Sequence, residues 1–349
     1  MIVGICGFCW SGSGAVLDFL MEFSDNQVVS SEFDIAYHPD GLCDLDFNLN
    51  ENCAKFLSSG VAIPRFRNVS KLLLSSITKG KEKSITEDFI KKITQSKWIG
   101  AEEGQVLLHN QWLYNKIGMR IRYKIINRLP MWFCLKHKIY PLNEMYFSVR
   151  PQNFYKYAQE YTNNIFESMG LDLKRPIIVN QLFPGNMPSR SMRYFFDSKA
   201  IVVDRDPRDV YISLKAVFPG HSYSVPLDNV ENFVAYFKNM HSTIKDEIVK
   251  PNILYLKFED FVFKHESVAE KIRSFLNLGI HSDSQKYFVP EQSSANTRVY
   301  KKFPEYKDDI KYIEEHLSEY LYDFSNIPES DNSKEMFDDN PRSLGYKFI

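Results

Sequence analysis

Apolar runs typical of buried strands alternate with stretches of helical spacing at the start of the chain. Residues 2–6 form a short apolar run that ends in glycine, and residues 15–23 place their apolar side chains on one side of a helix. Residues 27–31 predict a second strand. This alternation predicts an α/β fold with a parallel sheet flanked by helices on both faces.

The same alternation resumes after about residue 175. The predicted strands there are 176–180, 199–204 and 252–258. The predicted helices begin at Pro207, with Asp206 as N-cap, and near Glu259, and the last one runs from Glu305 to Phe324.

Residues from 42 to about 170 interrupt this pattern, because they show mostly helical spacing and no strong strand signal. We expect one α/β domain over 1–325 that carries a largely helical insertion at about 42–170. A polar tail follows over 326–349. Within the insertion, residues 116–138 are basic and amphipathic, which is typical of a solvated helix face. A surface for an anionic acceptor or a peripheral membrane contact remains the alternative.

Composition and charge argue against a nucleic-acid-binding, a membrane-spanning or a disulfide-rich protein. The chain has 349 residues, 43 Lys+Arg, 44 Asp+Glu and a net charge of −1, without the basic surplus of a protein that binds bulk nucleic acid. No apolar run reaches the roughly 18 residues of a membrane span, and the first residues lack the basic segment of a signal peptide. We therefore expect a cytoplasmic protein. Its five cysteines follow no repeating pattern, which favours free thiols over a metal site or disulfides.

Three loops are expected at the carboxyl edge of the sheet, where parallel α/β sheets bind ligands. They are residues 7–14, 32–41 and 204–209. The first is rich in Gly and Ser, so its backbone N–H groups and the following helix N-terminus are suited to a phosphate. Gly7 and Gly12 have the spacing of a P-loop, but Ser13-Gly14 stands where that loop has Lys-Ser/Thr. This disfavours an ATPase, GTPase or kinase.

The segment 201–213 indicates an anion-binding site more specifically than the glycine-rich loop does. Arg205 lies at the end of a predicted strand, and Ser213 follows eight residues later, two turns into the next helix. Both side chains can therefore face one oxyanion, with arginine as a planar donor and serine as a neutral one. Arg208 alone is interpreted as a surface residue in an ion pair.

Segment 201–213 resembles the 3′-phosphate-binding motif of the sulfotransferase family, which uses 3′-phosphoadenosine 5′-phosphosulfate (PAPS) and releases PAP. In that motif an arginine precedes Asp-Pro-Arg-Asp and a serine follows, as Arg205 and Ser213 do. The resemblance implies a sulfotransferase fold and sulfuryl transfer to an acceptor hydroxyl. It extends to three further segments and leaves out about 40–170, where the family builds its acceptor pockets.

The further segments resemble the family's 5′-phosphosulfate loop, a strand ending in aromatic-Glu-Asp, and a basic loop that closes over the nucleotide. The resemblance implies that the residues holding PAPS, besides Arg205 and Ser213, are Ser11, Gly12, Ser13, Gly14, Ala15, Arg298 and Lys301. The strand segment is 255–262, and the basic loop is 293–298 with Lys301 and Lys302. Glu259 and Asp260 are interpreted as caps of the helix that follows the strand.

Trp10 departs from the family pattern, because the family has Lys or Arg just before the Ser-Gly of the first loop. That cation neutralises charge as the sulfuryl group leaves. Either another cation takes its place, or the chain binds nucleotide without transferring sulfate. The complete 3′-phosphate segment favours the first option. The candidate cations are Arg65, Arg67, Lys301 and Lys302.

Glu32 is the predicted general base, since the resemblance to carbohydrate-specific branches implies a Glu at the end of the second strand. His38 is the second choice, and Asp34 is a rival in the same loop. Asp18 and Glu22 on the first helix are interpreted as surface or ion-pair residues. The histidines lack metal-ligand spacing, and no metal is expected.

The expected function is PAPS-dependent sulfation of a saccharide, polysaccharide or glycolipid, of the kind found in bacteria. The alternatives are a non-catalytic PAP-binding protein, supported by Trp10, and a nucleotide kinase-like phosphotransferase, opposed by the missing P-loop lysine.

Overall fold

The computed structural model describes residues 1–52, 58–100, 124, 128–136, 143–219, 225–279 and 287–327. Contacts group the chain into two compact units. The first combines Met1–Tyr37 with the chain from Gly170 onward, and the second is His38–Met169. The predicted tail lies outside the described residues from 328 onward.

Within the described residues, the first unit contains a sheet of five parallel strands. They are β1 (Ile2–Gly7), β2 (Gln27–Val29), β5 (Ile177–Asn180), β6 (Ser198–Asp204) and β7 (Ile253–Lys257). Their order in the sheet is β2–β5–β1–β6–β7, so β1 is central. The expected α/β class with a parallel sheet flanked by helices is confirmed.

The helices of the first unit follow the strands. They are α1 (Ser13–Met21), α7 (Pro188–Met192), α8 (Pro207–Ile212), α9 (Val230–His241), α10 (Ile244–Glu247), α11 (Phe258–Phe263), α12 (His265–Leu276), α13 (Pro290–Ser293) and α14 (Lys307–His316). Helix α8 continues as a π-helical turn, Ser213–Val217. Short 3₁₀ turns are Ser294–Asn296, Val299–Lys302, Pro304–Tyr306 and Ser318–Tyr320.

One face of the sheet packs against α1, α11 and α12. Val3 and Ile5 of β1 lie on this face, because alternate residues of a strand share a face. Val16, Leu17 and Leu20 of α1, and Phe23 just after it, join them in the core. Gly4 lies on the opposite face, where an added Cβ would come within 2.5 Å of the Phe183 ring. A separate apolar cluster joins α8, α9 and α14.

The second unit contains α2 (Leu42–Asp46), which continues into a π-helical turn (Phe47–Glu51), and α3 (Ser58–Leu74), α4 (Glu82–Ile93), β3 (Ser96–Gly100), α5 (Met131–Lys136), β4 (Asn143–Phe147) and α6 (Phe154–Ser168). The sequence predicts a largely helical insertion without strong strand signals, but β3 and β4 pair in an antiparallel ladder. Strand β3 is largely exposed and lacks apolar alternation, so its sequence carries no strand signal. Most of the basic stretch 116–138 lies outside the described residues.

The last predicted helix is shorter than expected. It was predicted from Glu305 to Phe324, but α14 covers Lys307–His316. Leu317 leaves the helical region (φ −120°, ψ 27°) and is buried in the cluster formed with α8 and α9. No helix in the described part of the chain is long and apolar enough to cross a membrane.

Candidate active site

The carboxyl ends of three neighbouring strands bring most candidate residues of the first unit together. The sheet order places the end of β1 between the ends of β5 and β6. Residues 8–12 follow β1, Gln181 follows β5, and Arg205 follows β6. This edge is where parallel α/β sheets bind their ligands.

Residues 8–12, here called the glycine loop, make a tight turn into α1. The Ser11 N–H donates to the Phe8 carbonyl (2.9 Å), and the Ala15 N–H donates to the Gly12 carbonyl (3.1 Å). Gly12 has φ +84°, a left-handed conformation that strains residues with a Cβ. An added Cβ there would also lie 2.4 Å from the ring of Phe258. The turn therefore requires glycine at position 12.

Two serine hydroxyls line this loop. The Ser11 side chain is 1% exposed, and its Oγ has no hydrogen-bond partner in the described part of the chain. A Cβ added to Gly7 would come 2.2 Å from that Oγ. Ser13 Oγ accepts a hydrogen bond from Gln181 Nε2 (3.0 Å). Ser13 and Gly14 open α1, where first-turn N–H groups lack intrahelical partners, so the loop is suited to an anionic oxygen.

Trp10 is used for aromatic packing. Its indole stacks on Phe218, with ring centroids 4.1 Å apart and an interplanar angle of 18°. Its backbone has φ +58°, and its carbonyl accepts a hydrogen bond from Arg205 Nη1 (3.0 Å). The loop therefore meets Arg205 through its main chain at the position where the family has a cation.

Arg205 connects three segments of the first unit. Besides the glycine loop, its Nη1 donates to Ser213 Oγ (3.2 Å), and its Nη2 donates to the Asn296 carbonyl (2.6 Å). The side chain is 2% exposed, and its guanidinium carbon lies 5.5 Å from the ring centroid of Phe258. Arg205 and Ser213, predicted to face one oxyanion, are in direct contact.

Asp206 caps α8 as predicted, since its side chain accepts the Arg208 N–H (2.9 Å). The expectation of a surface position for Arg208 is wrong, because its guanidinium is buried between Asp206 and Glu314, at 2.7 and 2.8 Å. Burial acts to lower the pKa of Arg208, but its bonds to Asp206 outweigh it and raise that pKa. Arg208 therefore anchors α8 as a permanent cation.

A buried polar cluster at the end of β6 was missed by the sequence analysis. Asp204 accepts hydrogen bonds from Lys257 Nζ (2.8 Å), from His241 Nε2 (3.0 Å) and from the Tyr255 hydroxyl. Burial opposes ionisation of Asp204, but the bonds from His241 and Lys257 hold its pKa well below the usual range. His241 also stacks on Phe8 (4.0 Å), so the cluster supports the glycine loop from behind.

Glu259 does not cap α11, contrary to expectation. It is fully buried, and its Oε1 accepts the Asp206 N–H (2.8 Å). Burial, and then the Asp206 charge, raise the pKa of Glu259 to about 8. Asp209 is also buried and accepts the Arg298 N–H (2.8 Å), and burial raises its pKa to about 6. Two carboxyl groups with raised pKa values therefore lie behind the Arg205 site.

The basic residues of the C-terminal loop, which comprises 293–298 with Lys301 and Lys302, differ in burial. Arg298 is buried, adopts φ +54°, and donates from Nη2 to the carbonyls of Ile327 (2.6 Å) and Phe324 (3.3 Å). Lys301 is exposed and Lys302 is half-buried. Any nucleotide contact of Arg298 requires exchange of these carbonyl partners.

The candidate bases lie in different units. Glu32 follows β2 in the first unit and precedes the buried Phe33. Its side chain is exposed, yet partial burial of the carboxyl, and then Asp34, raise the pKa of Glu32. His38 belongs to the second unit, where its Nδ1 lies 2.8 Å from the Pro39 carbonyl oxygen.

Two candidate cations of the second unit are engaged in ion pairs. Arg65 pairs with Asp40 (2.5 Å), and Arg67 pairs with Glu87 (2.5 Å) and donates to the Tyr146 hydroxyl (2.6 Å). A role for either cation in the reaction would need its ion pair to open.

Glu22 and Asp18 of the first unit, expected to be surface or ion-pair residues, are half-buried. Glu22 accepts the N–H groups of Tyr287 and Phe288, both at 3.2 Å. Burial, and then Glu22, raise the pKa of Asp18 to about 7. Both carboxyl groups therefore belong to the packing of α1.

The described residues contain no group of three or more His, Cys, Asp or Glu side chains arranged to hold a metal ion. Cys6 and Cys9 are not in disulfide bonds. Cys53 lies outside the described residues.

No protein-family profile and no curated protein sequence matches the chain. Among solved structures, the chain is similar to a sulfotransferase domain from the curacin biosynthetic pathway, with a TM-score of 0.40, 12% identity, and coverage of 92% of this chain and 98% of that one. It is also similar to retinol dehydratase in complex with androsterone and inactive cofactor PAP, with a TM-score of 0.26, 13% identity, and coverage of 88% and 66%. Similarity at this level carries no functional argument.

Proposed function

We propose that the chain is a PAPS-dependent sulfotransferase that transfers a sulfuryl group to a hydroxyl of a carbohydrate or glycolipid. The observation that carries the proposal is the position of Arg205. One buried guanidinium bonds to Ser213, to the Trp10 carbonyl and to the Asn296 carbonyl. These three partners belong to the segments that resemble the family's 3′-phosphate motif, 5′-phosphosulfate loop and C-terminal loop.

The residues at the sheet edge fit an adenosine bisphosphate in chemistry. Arg205 and Ser213 would hold the 3′-phosphate, because arginine and a hydroxyl donate charge-assisted hydrogen bonds to phosphate. Within residues 11–15, the N–H groups of Ser13 and Gly14 at the start of α1 and the buried Ser11 hydroxyl would hold the 5′-phosphosulfate. Arg298 and Lys301 would cover the nucleotide from the C-terminal loop.

The proposed reaction is an in-line displacement at sulfur, by analogy with phosphoryl transfer. The acceptor oxygen forms a bond to sulfur while the bond from sulfur to the bridging oxygen of the 5′-phosphate breaks, and the leaving group takes that electron pair. Glu32 removes the acceptor proton, and partial burial, followed by the charge of Asp34, raises the pKa of this carboxyl. His38 is the second choice of base.

Charge on the leaving oxygen would be neutralised by a cation other than residue 10. Lys301 and Lys302 are candidates from the first unit, and Arg65 and Arg67 from the second. A second function, PAP binding without transfer, is favoured by one observation, the stacking of Trp10 on Phe218 where the family has a basic side chain.

Calorimetry with PAP and turnover with labelled PAPS and a panel of glycans and glycolipids test the proposal. We expect PAP binding and transfer to at least one acceptor. Arg205→Ala should weaken PAP binding, whereas Arg273→Ala should not, since Arg273 pairs with Glu270 on α12. PAP binding without transfer would support the non-catalytic alternative, and Mg²⁺-dependent ATP binding without PAP binding would support a phosphotransferase.

The remaining proposals concern the cellular location of the enzyme and its macromolecular partners. We propose a cytoplasmic location. We also expect no nucleic-acid partner, because the net charge of −1 lacks the basic surplus of a protein that binds bulk nucleic acid. A peripheral membrane contact through residues 116–138 would bring the enzyme to a glycolipid acceptor. Vesicle co-sedimentation with and without anionic lipid tests that contact.

A further inference from the structure

Gln181, directly after β5, has an unusual backbone for its residue type. Its φ is +49°, in the left-handed region that glycine adopts easily and that strains residues with a Cβ. Strained residues of this kind persist where the surrounding structure fixes them, and they occur often at functional sites. Since glycine would adopt this backbone without strain, we expect the glutamine side chain itself to have a role.

Gln181 bonds to three separate parts of the first unit. Its N–H donates to the Ile5 carbonyl of β1 (2.8 Å), and its carbonyl accepts the Tyr37 hydroxyl from the loop after β2 (3.1 Å). Its side-chain Nε2 donates to Ser13 Oγ at the start of α1 (3.0 Å). A glycine would keep the first two bonds and lose the third.

The hydrogen bond from Gln181 Nε2 to Ser13 Oγ determines the direction in which the Ser13 hydroxyl donates its proton. A serine hydroxyl has one proton to donate and two lone pairs to accept with. Because the Gln181 amide already donates to Ser13 Oγ, the Ser13 proton points to another acceptor. An anionic oxygen bound at the N-terminus of α1 is such an acceptor. The adjacent Ser11 hydroxyl, buried and without a partner in the described residues, indicates a ligand at the same place.

Asn180, the last residue of β5, holds a second loop by hydrogen bonds. Its Nδ2 donates to the Ser30 carbonyl (3.0 Å), and its own carbonyl accepts the Phe33 N–H (3.1 Å). The end of β5 therefore holds the loop that carries Glu32 through residue 180, and the start of α1 through residue 181. Both contacts are made by side-chain amides of neighbouring residues.

We infer that Gln181 is a positioning residue that orients the Ser13 hydroxyl as a donor to the 5′-phosphate group of the nucleotide. This inference rests on the proposed function, since that function assigns the 5′-phosphate to residues 11–15. Gln181 touches neither the nucleotide nor the acceptor in this role. It acts through Ser13, and it is retained at the expense of backbone strain.

Three ligands separate this role from a general effect on the fold. Calorimetry would use PAP, adenosine 5′-phosphate and adenosine 3′-phosphate with the wild-type chain and with Gln181→Gly. We expect PAP and adenosine 5′-phosphate to bind about tenfold more weakly to the variant, the size of one hydrogen bond to a charged group, while adenosine 3′-phosphate binds unchanged. Asn277→Gly is the matched control, because Asn277 also has φ +57° and ends α12. Both glycine variants should keep or raise the Tm.

Gln181→Glu tests the direction of the hydrogen bond. An ionised carboxylate at this position accepts the Ser13 proton and adds a negative charge beside the 5′-phosphate. We expect a loss of about a hundredfold in PAP affinity relative to wild type at pH 8. The PAP affinity of Gln181→Glu should approach that of wild type as the pH falls to 5, because protonation of the introduced carboxyl restores a donor to Ser13.

The outcomes distinguish this inference from the proposed function. If the wild-type chain binds PAP and Gln181→Gly binds it equally well, the positioning role is wrong and the proposed function stands. Equal losses for adenosine 5′-phosphate and adenosine 3′-phosphate, with a lowered Tm, would show a structural role only and also overturn the inference. If the wild-type chain does not bind PAP at all, the proposed function fails and the inference fails with it.

Discussion

Glu259→Gln is expected to change how the stability of the protein depends on pH. Glu259 is fully buried and accepts the Asp206 N–H through Oε1. Glutamine has nearly the same shape, and its side-chain oxygen can accept the same N–H. The variant therefore removes the titration and keeps the packing.

The sign and size of the effect follow from the pKa of the buried carboxyl. Burial, and then Asp206, raise the pKa of Glu259 from 4.5 to about 8 in the folded chain. Between these pH values the folded chain keeps the proton that the unfolded chain has released, so stability falls as pH rises from about 4.5 to about 8. The full shift corresponds to roughly 5 kcal/mol. Relaxation and water entry reduce such penalties, and we expect roughly 2–4 kcal/mol.

Urea unfolding followed by circular dichroism, from pH 5 to pH 9, measures this effect. The free energy of unfolding of Glu259→Gln minus that of wild type should rise by roughly 2–4 kcal/mol over this range. Glu266→Gln, an exposed change on α12, is the control and should leave the wild-type slope unchanged. Parallel curves for wild type and Glu259→Gln would show that the buried carboxyl is not protonated and would refute the reasoning.

Three further predictions concern binding and transfer. Arg205→Ala should weaken PAP binding at least about tenfold in calorimetry and hardly affect adenosine 5′-phosphosulfate, and an equal loss for both would assign Arg205 another role. Gly12→Ala should lower the Tm and abolish nucleotide binding, because a Cβ would lie 2.4 Å from Phe258 in a left-handed backbone; an unchanged Tm would contradict that packing. Glu32→Gln should reduce transfer by about 10²–10⁴ with PAPS affinity kept, whereas a loss seen only in His38→Ala would make the histidine the base.

The segment around Arg205 could be predicted because its information is local. Arg205 and Ser213 are eight residues apart across one strand-to-helix turn, and strand and helix geometry suffices to bring them together. The N-cap role of Asp206 depends on the same few residues. Glycine-rich composition likewise located the turn into α1.

Contacts between distant segments leave no local pattern. The Gln181–Ser13 hydrogen bond joins residues 168 positions apart, and the bond from Arg205 to Asn296 spans 91. Burial of Glu259 was missed for a related reason, since a carboxylate after a strand is usually exposed or capping. Only the assembled sheet edge places Asp206 beside Glu259.

The central position of β1 determines when the sheet can form during synthesis. Its two neighbours in the sheet are β5 and β6, whose pairing residues are 177–180 and 198–203. At about 5–20 residues per second, a ribosome needs roughly 10–40 s to reach them after it has made β1. Throughout that interval the apolar strand has no sheet to join, the glycine loop lacks its bond to Arg205, and Ser13 lacks its bond to Gln181. A nascent chain that stops before β6 is complete would present an open strand edge, which is a template for aggregation.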